Sequence, residues 1–133
     1  MAFWGAPDHQ PDHAERATRA ARAIAVAIDA ENDARRTAGE PPVCLRIGLH
    51  SGPVTVGNIG APGRINYTII GDTVNIAQRL EQLGKETEAA AGAVTVLVSA
   101  ATAERLGPEF SCDALGGHRL RGRNATIEVF RLL

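Results

Sequence analysis

Within "RINYTIIGDTVNIAQRLEQ", residues 64–82, an amide and a guanidinium stand four positions apart at Asn75 and Arg79. On a helix that spacing puts both on one face. An arginine fork grips phosphoryl oxygens, and an asparagine one turn away can orient a hydroxyl or a ribose oxygen. The N–H groups left free at a helix start lie close to Asn75 and favour the same anionic partner. By spacing alone, an ordinary solvated helix face accounts for the pair better than a binding site does.

Other chemistry-bearing groups carry less. "GPVTVGNIGAPG" is glycine-rich, but it has no GxxxxGK[ST] pattern and no helix follows it to receive phosphates, so bends in a β-arm account for it better. His9 and His13 are four apart beside Asp8 and Asp12, yet Pro11 breaks the single face that a metal-binding pair needs. His50 and His118 stand alone and read as structural. Arg119, Arg121 and Arg123 in "HRLRGR" alternate along one side of a strand or turn, an anionic-ligand site or a charged edge.

The elements that must position these groups follow from periodicity. Residues 64–70 read as a strand that breaks at Gly71-Asp72, and a helix over 73–83 follows with Ile76, Ala77, Leu80 and Leu83 as its apolar stripe and Asp72 as N-cap. Upstream, Asp12 and Glu15 form a D-x-x-E capping box for a helix carrying Ala17, Ala20, Ala21, Ile24 and Ile28, which stops at Gly39-Glu40-Pro41-Pro42. Alternation predicts strands at 43–50, 93–98, 110–121 and 126–132, with "MAFWG" as a strand end and Ser99 capping a short helix before Gly107-Pro108. "EAAAGA" (88–93) is a small-residue loop. The sum is a single α+β domain with a mixed or antiparallel sheet.

The 133 residues suffice for one domain's core. Fourteen basic residues against fifteen acidic leave a net charge of −1, so the bulk charge favours neither nucleic acid nor an anionic membrane surface. No apolar run reaches spanning length, so direct membrane insertion is not expected. Cys44 and Cys112 lack metal or redox spacing and lie in strand-like runs. They are expected to be buried free thiols, which suits the reducing cytoplasmic compartment.

Three blocks, "MAFWGAPDHQPDHAERA", "LRIGLHSGPVTVGNIGAPGRINYTIIGDTVNIAQRLE" and "LRGRNATIEVFRL", resemble in order the signatures of the catalytic domain of class III adenylate and guanylate cyclases. The resemblance implies a ferredoxin-like α+β nucleotidyl cyclase domain and a head-to-tail dimer binding ATP or GTP at its interface. It also implies two ions, Mg or Mn, that activate the 3′-hydroxyl for attack on the α-phosphate. Asn75 matches the family's ribose-orienting asparagine, and Arg79 its transition-state arginine. Thr68 falls where the purine is read and points to ATP, with the Ile69 backbone beside the adenine edge. Arg121 falls where a basic residue meets the triphosphate.

The family's two metal aspartates and its adenine-reading lysine align before Met1, and Asp8 and Asp12 cannot replace them. On the resemblance, residues 1–133 are therefore the C-terminal two-thirds of an adenylate cyclase domain, without its N-terminal strand and helices. The chain alone is expected to be inactive and to oligomerise through the 57–67 arm and an exposed sheet edge. Guanylate cyclase activity and a non-catalytic dimerisation module are the alternatives.

Overall fold

The computed structural model describes residues 1–61, 63–87, 93–119 and 125–133. Its elements are α1 (His13–Ala38), β1 (Leu45–Leu49), β2 (Thr55–Ala61), β3 (Arg64–Ile70), α2 (Asp72–Thr87), β4 (Val94–Ser99), α3 (Ala100–Ala103), β5 (Cys112–Arg119) and β6 (Thr126–Leu132). Four strands form one mixed sheet in the order β1-β4-β6-β5, and β2 and β3 form a separate hairpin. β1 runs parallel to β4, while β6 is antiparallel to both β4 and β5.

β4 explains the layering. Its run "VTVLVS" is apolar on successive residues rather than alternate ones, as a strand covered on both faces requires. Val96 and Val98 pack with Ala21 of α1 and with Phe110 and Leu132. Leu97 packs on the other face with Ile76 and Leu80 of α2 and with Val129 of β6. Thr95 is 2% exposed on this strand, and its hydroxyl oxygen has no hydrogen-bond partner among the described residues.

α1 ends as its sequence predicts, with Gly39 in the left-handed region at φ 74° and the Glu40 N–H bonded to the Arg35 carbonyl. Its start differs. The Asp12 carboxylate makes no cap; both of its oxygens lie 2.8 Å from Arg16 Nε. That guanidinium holds the Asp12 carboxyl below the usual carboxylate range. Glu15 is drawn to Arg19 instead of closing a capping box. Two opposite charges one turn apart have outcompeted the backbone donors. Near the other end, buried Asn32 clamps the chain entering β1: its amide donates to the Val43 carbonyl at 2.9 Å, and its oxygen accepts the Val43 N–H at 2.7 Å.

Further expectations need correction. Residues 1–5 form no strand. They lie across a cleft of about 820 Å³ from the outer edge of β1, between α1 and α2. Ala17, Ala20 and Ile24, expected as core, line this cleft, and Ile24 is 42% exposed. The buried α1 seam runs instead through Ala14, Thr18 and Ala21. Cys44 precedes β1 and is exposed, contrary to its expected burial, because pairing with β4 begins only at Leu45. Cys112 is half-buried, and desolvation, with Asp113 alongside, raises its thiol pKa. Ser99 precedes α3, a single turn, but its hydroxyl does not cap it. The loop expected at 88–93 lies, apart from Ala93, outside the described residues.

Candidate functional site

β3 passes into α2 through one residue, Gly71, at φ 146°. The Val74 N–H donates to the Gly71 carbonyl at 3.1 Å and closes the first turn. Asp72 is the first helical residue rather than the cap, so α2 begins one residue earlier than its pattern predicts. On the other side of Gly71, β3 pairs with β2 in the register Thr68↔Gly57 and Ile69↔Val56. Purine-reading candidates and phosphate-stabilising candidates thus belong to one continuous strand–helix unit.

The sheet fixes how α2 lies. Ile76, Leu80 and Gly84 are its buried seam. Gly48 of β1 lets the helix come close: an added Cβ there would stand 2.2 Å from the Ala77 carbonyl oxygen and 2.5 Å from the Glu81 nitrogen. Arg46, on the same face of β1, pairs with Glu81 at 3.0 Å.

With that seam fixed, helical periodicity places the remaining residues on two flanks. Thr73, Val74, Ala77, Gln78 and Glu81 line the large cleft. Asn75 and Arg79 fall on the opposite flank; Asn75 is exposed and Arg79 half-buried. Among the described residues, no hydrogen bond or ion pair engages either side chain. Along β3, Ile69 lines the cleft, and Thr68 points to the other side of the strand by alternation. Of the described candidates, Ile69 lines the main cleft, whereas Thr68, Asn75 and Arg79 do not, and the flank of α2 that carries Asn75 and Arg79 opens outward. Arg121 lies outside the described residues.

A polar cluster that the sequence did not signal joins the ends of β1 and β4. His50 Nδ1 lies 2.7 Å from Ser99 Oγ, which lies 3.4 Å from Thr102 Oγ1, and Thr102 Oγ1 lies 3.1 Å from Ser51 Oγ. Only the parallel register Leu49↔Val98 makes these neighbours.

No group of three or more His, Cys, Asp or Glu residues able to hold a metal ion exists among the described residues. The donors among the described residues do not fit a two-ion centre. Among those residues, too, no helix is long and apolar enough to cross a membrane.

Known proteins match this geometry. Residues 1–133 match the family described as "Adenylate and Guanylate cyclase catalytic domain". The chain therefore belongs to the adenylate and guanylate cyclase catalytic domain family. It is 35% identical over 133 residues to "Adenylate cyclase 1" of Rhizobium meliloti, covering 100% of this chain and 19% of that protein. Its fold matches the adenylyl cyclase CyaB from P. aeruginosa with a TM-score of 0.82 at 28% identity, covering 98% of this chain and 64% of that one. The guanylate cyclase domain of RhGC from Catenaria anguillulae, solved in complex with GTP, matches with a TM-score of 0.76 at 29% identity. The match covers 97% of this chain and 64% of that one. The chain thus spans less than two thirds of these relatives.

Proposed function

We propose that residues 1–133 supply the substrate-reading and charge-stabilising half of an adenylate cyclase, which converts ATP to 3′,5′-cyclic AMP and pyrophosphate. The observation that carries this is the outward flank of α2, where Asn75 and Arg79 stand one turn apart directly behind β3 with Thr68 and Ile69. In the reaction, the ribose 3′-oxygen bonds to the α-phosphorus as the bond to the β-phosphate oxygen breaks, and the hydroxyl proton is lost. Asn75 orients the ribose. Arg79 donates its fork to the α-phosphate oxygens, where negative charge grows in the transition state. Thr68 and the Ile69 backbone read the purine edge, and Thr68 favours adenine over guanine. Arg121 meets the triphosphate.

Asn75 on this flank is exposed and Arg79 half-buried, with no bonded partner among the described residues, so the site is completed by a second subunit, docked through the 57–67 arm and the sheet edge. Exposed Ile65 and Tyr67 on that arm support such a contact. The reaction calls for two Mg or Mn ions, and the described residues offer no cluster of carboxylates to hold them. The same shortage of metal donors favours a second reading, a regulatory module that dimerises without catalysis.

The test mixes the chain with a family subunit that retains the metal aspartates but carries Ala at both the Asn and Arg positions. Cyclic AMP is measured with ATP and Mn. Neither component alone is expected to turn over, and the mixture is. Equal turnover when this chain carries R79A would overturn the assignment, and faster turnover of GTP would overturn the choice of ATP. A mixed dimer without turnover would establish the regulatory reading.

A further inference from the structure

The loop of residues 50–54 joins β1 to β2, and both of its ends are tied. At the sheet end, His50 Nδ1 meets Ser99 Oγ at 2.7 Å. Ser99 and Thr102 are each 1% exposed, and Thr102 Oγ1 reaches both Ser51 Oγ at 3.1 Å and the Leu49 carbonyl at 3.5 Å. Such a satisfied, buried hydroxyl cluster is rigid, because breaking any link strands a polar atom away from water. At the helix end, Thr73 Oγ1 donates to the Pro53 carbonyl at 2.7 Å. Gly52 permits this approach: a Cβ there would stand 2.7 Å from Thr73 Oγ1 and 3.5 Å from His50 Nε2. Thr73 lies in the first turn of α2, two residues before Asn75 and six before Arg79.

From this continuous path we infer that His50 is a positioning residue. Through Ser99, Thr102 and Ser51 it fastens the 50–54 loop to the top of the sheet, and through Pro53 and Thr73 that loop sets the first turn of α2, hence the placement of Asn75 and Arg79. The placement within the cyclase reaction rests on the function proposed above; the mechanical link does not. α2 has its buried seam at Ile76 and Leu80, one turn or more from its start. Its first turn therefore needs a separate anchor, and a helix end without one frays. Histidine suits the post. It follows Arg46 and Gly48 on the α2 face of β1 by strand alternation. Its ring is also long enough to reach Ser99 across the end of β4.

Amide hydrogen exchange in the 133-residue chain reads the link directly. H50A is expected to speed exchange at residues 72–76, Val74 above all, by about tenfold relative to the β4 amides. H50N, whose side-chain amide can replace Nδ1 opposite Ser99, should restore protection, and H50F should not. T73V, which cuts the same path at its far end, should reproduce the H50A pattern. Unchanged exchange at 72–76 in H50A, or an increase no larger there than in β4, would overturn the inference.

The mixed-subunit assay supplies the second readout: H50A should lower kcat about tenfold with little change in KM, and H50N should recover it. Faster exchange with an unchanged kcat would overturn the positioning role. Absence of turnover in the unsubstituted mixture would instead count against the proposed function, while the exchange data would still decide the link.

Discussion

Gly48→Ala tests whether α2 is held at its present depth by the missing side chain of one β1 residue. The added Cβ would stand 2.2 Å from the Ala77 carbonyl oxygen, 2.5 Å from the Glu81 nitrogen and 3.0 Å from Leu80 Cβ. Two of the three obstacles are helix backbone, so no rotamer change relieves the overlap. To regain ordinary contact, α2 must retreat from β1 by roughly 1 Å. Leu80, which is 0% exposed, and Ile76, at 5%, would lose contact with Leu97 and Val129 as it does so. Overpacking of this kind costs about 1–3 kcal/mol. For a chain of this size, that corresponds to a fall in Tm of about 4–12 °C. Urea titration followed by circular dichroism measures the loss, and the slope of the transition should not change. A midpoint equivalent to within about 0.5 kcal/mol of the unsubstituted chain would refute the reasoning. It would mean that the seam between α2 and β1 yields freely and cannot be what aims the Asn75–Arg79 flank.

In the mixed-subunit assay, Arg79→Ala should lower kcat by more than about a hundredfold with KM little changed, and Asn75→Ala should act likewise, since both groups work mainly in the transition state. Comparable losses in binding alone would assign them to ground-state contacts. Asn32→Ala should cost about 1–3 kcal/mol, because it leaves both the Val43 N–H and its carbonyl without their partner; chemical denaturation reads this, and a neutral result would show that water replaces the amide. Burial raises the Cys112 thiol pKa in the folded chain. The contribution to stability is therefore fully present below the ordinary thiol value and is lost as pH rises through the folded one. In C112A, the decline in stability over that alkaline window should be smaller, and an identical pH profile would contradict the assignment.

The strand–helix unit at the candidate site was legible in the residues because its determinants are local. The β-branched and aromatic residues enriched over Arg64–Ile70, a glycine at the break and a 3.6-residue apolar stripe through Ile76 and Leu80 each act within a few positions of themselves. The face shared by Asn75 and Arg79 follows from helical geometry alone. Tertiary structure decided what each element meets. Residues 1–5 are apolar enough for a strand but pair with none, because a strand exists only through a neighbour's hydrogen bonds. Ile24 has helical spacing, yet the space beneath it is a cleft, so it is not core. The hydroxyl of Ser99 could cap α3 or bind a ring, and the ring that takes it is 49 positions away, brought there by the parallel pairing of β1 with β4. Local propensity offers each polar group several partners of similar worth; only the register of distant strands selects among them.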